Sequence, residues 1–260
     1  MTHTQPEQEL SRYNSRSIKR SEEMYGTGWQ SPGGEEIVAS FASRLQVGPG
    51  KSVMDIGSGL GGALFYLAKE HQMNCLGVDY SQVMVDLSTK KSIENGLSDK
   101  VKFRQGDITE VNLERNAVDL VWSRDAILYI QDKEAVFANA YKTIKSGGEL
   151  FVTDFLRGDR ELSPEFKGYL KDCAYHLDTF SDYQRTLADA GFTNIRRENV
   201  TPDFIRTLRN DRVRLEAKKD DFLTRFNIDD FSYLMDRWQG KIDMCEAGEL
   251  QWGLFVADKK

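Results

Sequence analysis

A doubly wound, mostly parallel α/β sheet of seven strands is the fold that this 260-residue sequence predicts. Three observations carry the prediction. From Ser52 onward, short apolar runs alternate with stretches of helical periodicity, the pattern of strands joined by crossover helices. The first run ends in an acidic residue and a glycine-rich turn, SVMDIGSGLGG (Ser52–Gly62). Acidic residues then recur at the ends of the following runs, where open α/β sheets bind ligands.

The elements follow in order. Residues 1–24 form a polar, partly helical lead-in, and YGTGWQSPGG is a turn-rich loop whose Ser31 and Pro32 can start the next helix, EEIVASFASRL. Strand-like runs are SVMDI, CLGVDY, VKFRQGDI, AVDLVWSRD and GELFVTDFL, and the helices between them start near Gly61, Ser81 and Asp132. Ser146–Gly148 reads as a helix C-cap before a strand. Beyond Phe155 the pattern loosens. LSPEFKGYLKDCAYHL is an inserted amphipathic helix, and FSDYQRTLADAGF is a helix closed by Gly191. The strands FTNIRRENV and QWGLFVADKK are separated by one long helical stretch, Pro202–Cys245. That order predicts an antiparallel edge hairpin and a helical cap over the strand ends. A single domain is expected: lead-in and SPGG loop over 1–50, cofactor-binding core over 51–155, cap and late strands over 156–250, and a final strand over 251–260.

Composition narrows the function. A net charge of −6 argues against a broad nucleic-acid face, and the polar start predicts neither a leader nor a membrane anchor. Three scattered cysteines without a C-x-x-C pair, and three histidines in all, argue against a disulfide framework or a metal site. A cytoplasmic protein, monomeric or weakly dimeric, is the expectation.

Gly57, Gly59 and Gly62 fit G-x-G-x-x-G, a turn that lets a nucleotide-like molecule approach bare backbone. Asp79 stands 24 residues after Asp55, where an acid can take both ribose hydroxyls. Asp107 ends a third run. A nicotinamide dehydrogenase shares the glycines, but Asp55 directly before them and Asp107 after the third strand favour a methyl donor. The set resembles the class I S-adenosylmethionine-dependent methyltransferases, which have a Rossmann-like sheet of this kind. That resemblance implies Gly57, Gly59 and Gly61 at the methionine part of the cofactor. It places Asp79 at the ribose and Asp107, with Ile108, at the adenine, and counts Asp55 and Tyr80 among the cofactor-binding residues.

Further pieces, Tyr13 ahead of the SPGG loop, SRDAIL within Trp122–Ile130, DFLRG, LKDCAYHL, TPDFIRTL and WQGKIDMCEAGELQWGLF, resemble the phosphoethanolamine N-methyltransferases and the methyltransferase portion of ovothiol synthases. By resemblance, Tyr13 closes over the substrate, Ser31 and Arg124 touch the cofactor, Asp125 faces the substrate amine, and Tyr175 and Lys241 take its phosphate. There are departures. Tyr129 stands where the family has a catalytic histidine, Phe155 replaces a tyrosine, Cys173 an arginine, Arg12 a glutamine and Ser21 a tyrosine. A phosphomonoester wants bidentate arginine or several donors. The losses imply a smaller or less anionic acceptor, an amine or amino acid served by Arg12 or Lys241, with a phosphobase as the alternative. Tyr13, Asp125 and Tyr129 are the catalytic candidates, and Arg12, Phe155, Cys173, Tyr175 and Lys241 the substrate-binding ones.

Transfer is expected as an in-line displacement in a closed pocket, yielding S-adenosylhomocysteine, with Asp125 orienting the amine. A non-catalytic cofactor-binding module remains the competing class. Plain chemistry assigns Lys241 and the run RNDRVRLEAKKDD to solvated surface, and Trp29 and Trp122 to packing.

Overall fold

The computed structural model describes residues 15–260. Two helices, α1 (Ser15–Tyr25) and α2 (Gly34–Ala42), precede the sheet. Then come β1 (Ser52–Ile56), α3 (Gly62–Glu70), β2 (Asn74–Asp79), α4 (Gln82–Glu94), β3 (Val101–Gln105) and β4 (Val118–Arg124). A single 3-10 turn, Ile127–Tyr129, leads to α5 (Lys133–Thr143) and β5 (Ile144–Arg157). After α6 (Pro164–Cys173) and α7 (Phe180–Asp189) come β6 (Thr193–Asn199), α8 (Thr201–Ala217), α9 (Lys219–Leu223), α10 (Ile228–Glu246) and β7 (Leu250–Asp258).

The seven strands lie in the order β3-β2-β1-β4-β5-β7-β6. The first five are parallel, while β7 runs antiparallel to β5 and to β6. All five parallel strands therefore end at one edge, and the edge hairpin expected from the late runs is formed.

Strand periodicity sorts the core into two layers. Leu120 and Trp122 face one side with α2, α3, α8 and α10, through Phe41, Leu64, Phe204 and Trp238. Val121 faces the other with α5 and α7, through Phe137 and Tyr183. Trp122 stacks on Phe151, centroids 4.7 Å apart, so it is a packing residue. Burial of such rings contributes ~1.5–3 kcal/mol apiece relative to leaving them exposed.

Three local expectations change. Helix α2 begins only at Gly34, because Gly33 turns left-handed (φ 75°) ahead of it. Helix α5 ends at Thr143, and Ser146–Gly148 belong to β5, in the stretch where the β4 register shifts between Val118 and Leu120. The long helical stretch is three helices, since Lys218 and Asn227 cap new starts. Asn227 does so with a reciprocal capping box to Asp230.

Candidate active site

The β1 turn is built by its glycines. Gly57, Gly59 and Gly61 have φ of 72°, 51° and 86°, a region a side chain disfavours. A Cβ on Gly57 would lie 2.3 Å from the Ala126 Cβ, so the turn is also sterically closed to substitution. Gly62 opens α3, so the left-handed positions are 57, 59 and 61.

Asp79, at the end of β2, accepts from Gly59 N (2.8 Å) and Ser81 N (2.9 Å), locking the turn to the next strand. Burial pushes its carboxyl up, against the pull of these two bonds. Asp55 is 4% exposed. Burial first, then repulsion from Asp79, push it well up, while Arg124 opposes them. Asp107 holds its own loop, accepting from Thr109 N at 2.9 Å and Thr109 Oγ1 at 2.7 Å. Tyr80 is exposed and its carbonyl accepts from Gln105. Ile108 is buried, packing with the core layer of Met54 and Val78, and its carbonyl accepts from Asn139 Nδ2 at 2.8 Å.

The loop before α2 lies over this turn. Gly62 N donates to Gly28 O at 3.1 Å, and Glu22 accepts from Gly28 N at 2.7 Å. Arg124, buried at the end of β4, donates to Pro32 O. From the cap, Asp211 of α8 accepts from Gly33 N at 3.2 Å. Between loop and turn is a cavity of about 80 Å³ whose lining includes Trp29, Ser31, Asp55, Gly57, Gly59 and Arg124. Ser58, also on its wall, has a buried hydroxyl without a hydrogen-bond partner among the described residues. Bare glycine backbone, a carboxylate at each of two strand ends and a spare hydroxyl fit a nucleoside with a cationic end.

A second cluster sits beyond β4 and β5. Asp125 holds φ 55°, unusual for a residue with a side chain, and its N–H donates to Thr153 O at 2.9 Å. Its Oδ1 accepts from Trp252 Nε1 (2.7 Å) and Thr153 Oγ1 (3.1 Å), while Oδ2 lies 3.7 Å from Arg124 Nε. Burial raises its affinity for a proton; Arg124, Trp252, Thr153 and Lys241 oppose this.

Aromatic rings line the cluster. Tyr129 meets Tyr175 edge-on at 5.2 Å, Tyr169 meets Tyr175 at 5.7 Å, and Phe155 meets Phe204 at 5.1 Å. Lys241 is buried rather than solvated, its Nζ 4.5 Å from the Phe155 ring centre and 5.6 Å from that of Phe204. Burial, with Arg237 nearby, pushes it down to about 7. Cys173 is half-buried and packs beside the same core layer. Such a chamber suits an ammonium, which aromatic faces attract.

The structure thus gathers Ser31, Asp55, Gly57, Gly59 and Arg124 around the cavity. It gathers Asp125, Tyr129, Phe155, Tyr175 and Lys241 beyond it. Arg12 and Tyr13 lie outside the described residues. Sequence reasoning missed Trp252, whose place opposite Phe155 comes from the β5–β7 register, and Asp211. Asp211 sits in the run read as a solvated face, yet it is 0% exposed; its spacing of four from buried Leu215 was the available signal. Among the described residues no acid, cysteine and histidine group could hold a metal, and no helix is long and apolar enough to cross a membrane.

Fold and site together define a methyltransferase domain, and the model of that family matches residues 48–191. The chain belongs to the methyltransferase domain family, on the branch that holds the phosphoethanolamine N-methyltransferases. It is 36% identical over 247 residues to phosphoethanolamine N-methyltransferase 1 of Arabidopsis thaliana, covering 95% of this chain and 50% of the relative. It is 30% identical to the Plasmodium falciparum phosphoethanolamine N-methyltransferase, covering 96% of this chain and 94% of the relative. The Haemonchus contortus phosphoethanolamine N-methyltransferase 2, solved with phosphomonomethylethanolamine and S-adenosylhomocysteine, superposes with a TM-score of 0.93 at 29% identity. That match covers 96% of this chain and 58% of the other. The chain spans about half the length of the plant relatives it matches.

Proposed function

We propose that the chain is an S-adenosylmethionine-dependent N-methyltransferase acting on a small amine that carries an acidic end. One observation carries this: the carboxylate of Asp125, held by Trp252, and the buried ammonium of Lys241, against Phe155 and Phe204, meet one aromatic cluster, because Phe204 packs on Trp252 at 5.2 Å. A zwitterion satisfies both ends. The names of the relatives support a phosphobase as that zwitterion; the loss of charge at Cys173 favours a carboxylate.

Asp55, the glycine turn, Asp79, Asp107 and Ser31 are the residues that would hold the cofactor, which supplies an electrophilic methyl group when bound. Asp125 accepts a hydrogen bond from the acceptor nitrogen, fixes it in line with the methyl group and draws off the proton that must leave before the nitrogen lone pair can attack. Tyr129 and Tyr175 offer ring faces that tolerate added methyl groups on that nitrogen. Lys241 anchors the acidic end, and the loop before α2 excludes water. Tyr13 is proposed to close the chamber.

The test is S-adenosylhomocysteine formation with ethanolamine, phosphoethanolamine, glycine and sarcosine. Product with at least one of them is expected. Cofactor binding by calorimetry with no product from any of them would return the chain to a binding module.

A further inference from the structure

Arg124 stands between the two halves of the site. Its side chain ends on the wall of the cavity between loop and turn. Nη2 donates to Pro32 O in the loop, while Nε lies 3.7 Å from Asp125 Oδ2, beyond hydrogen-bond reach. That Nε is sealed from solvent and has no hydrogen-bond partner among the described residues. Trp252 and Thr153 both donate to Oδ1 of Asp125, so Oδ2 is the oxygen turned to the guanidinium.

Pro32 O and Gly33 N are the two ends of one peptide unit. Arg124 donates to the carbonyl, and Asp211 accepts from the N–H at 3.2 Å. Opposite charges thus clamp this peptide along its own dipole, and Ser31, on the cavity wall, is the residue just before it. The guanidinium that holds the carbonyl end is also attracted by Asp125. Both side chains are buried, where such an attraction is weakly screened and an unpaired donor is costly.

Resting on the N-methyltransferase reading, we propose that Arg124 is a positioning residue that couples the acceptor to the cofactor. A protonated amine on Asp125 satisfies that carboxylate and leaves the guanidinium to Pro32 O, which keeps the loop shut. With Asp125 unpaired, a small shift brings Nε to Oδ2 and takes the guanidinium off the carbonyl, and the loop is free to part. Loop and acceptor acid share one cation, so a ligand on either side tightens the other.

The experiment measures S-adenosylhomocysteine affinity by calorimetry and its release by stopped-flow displacement on the whole chain. Each is run with and without phosphoethanolamine, ethanolamine or sarcosine, in the wild type, Arg124→Gln and Arg124→Lys. An amine that the wild type methylates is expected to tighten S-adenosylhomocysteine about fivefold or more, chiefly by slowing its release. Arg124→Gln should bring that factor close to one, whatever it does to binding of S-adenosylhomocysteine alone, and Arg124→Lys should keep part of it. A general loss of structure would weaken binding without changing the factor. No tightening in the wild type by an amine it methylates, or the same factor in Arg124→Gln, overturns the coupling and leaves N-methyl transfer standing. S-adenosylhomocysteine binding with no amine methylated overturns the underlying reading instead. Should the variants not fold, hydrogen exchange on the wild type decides. With S-adenosylhomocysteine bound, the methylated amine is expected to slow exchange across Gly26–Gly34, and unchanged exchange there counts against the coupling.

Discussion

The indole Nε1 of Trp252 donates to Asp125 Oδ1 at 2.7 Å, so the last strand of the chain orients the acid that ends the fourth. Thr153 adds a second bond to the same oxygen, leaving Oδ2 toward Arg124. A carboxylate fixed this way presents one face to a bound amine without rearranging.

The first prediction follows from that fixation. Asp125→Ala should lower turnover by ~10²-fold or more, the usual range for a positioned acid or base. Tyr129→Phe, which keeps the ring against Tyr175, should cost less than ~10-fold on the same scale. Trp252→Phe should fall between them, because it frees the carboxylate without removing it. Initial rates of S-adenosylhomocysteine formation check the order; equal, small effects of all three would remove Asp125 from the chemistry.

A second prediction concerns the loop over the glycine turn. The cavity beneath it, about 80 Å³, is well below the ~300–1,000 Å³ that sites for ligands of nucleoside size enclose, so the loop must part from the turn to admit one. Asp211 latches that loop from the cap through Gly33 N. Asp211→Ala strands a buried N–H and should weaken the closed state by ~1–3 kcal/mol. The expected readouts are faster cofactor release in stopped-flow displacement and faster proteolysis between Gly26 and Gly33. Unchanged release with unchanged proteolysis would show that the latch does not govern the loop.

The third prediction is a pH dependence of stability. Asp154 is fully buried beneath the site. It accepts from Leu128 N and Phe155 N at 3.1 Å each and from the Tyr183 hydroxyl at 3.2 Å, holding the turn that carries Tyr129. Burial pushes its carboxyl up to about 8, against Lys133. A carboxyl raised above its unfolded value keeps its proton on folding, so its contribution is whole below about pH 4 and is lost as pH rises toward 8. Asp154→Asn retains the acceptor without the titration. Its melting temperature should therefore fall less between pH 5 and 8 than the wild type's, by at least ~2 °C, about 1 kcal/mol for a chain of this size. Parallel curves for the two proteins would rule the effect out.

Much of the cofactor half was legible because its signals are local. A glycine turn, an acid at a strand end and alternating periodicities each occupy a few neighbouring residues, and their spacing carries the geometry. The acceptor half was legible mainly through family resemblance, which alone lifted Lys241 out of the solvated surface, while the reading of the Asp211 run as solvated was an error of burial. Lys241 and Asp211 belong to residue types that are usually solvated, and no window of sequence around them says which helix face the core will cover. The Ser146–Gly148 turn signal was real, but pairing with β4 drew those residues into a strand.

By itself the sequence determined the order of strands and helices, the left-handed glycines after β1 and the carboxylates that end successive strands. Backbone sterics and hydrophobic period act over a few residues and need no partner. Only the tertiary structure decided that Trp252 holds Asp125, that Asp211 pins the loop from the cap, and that Lys241 is buried against Phe155 and Phe204. Those contacts join residues far apart in the chain, and they exist only once the late helices fold back over the strand ends and desolvate the charges between them.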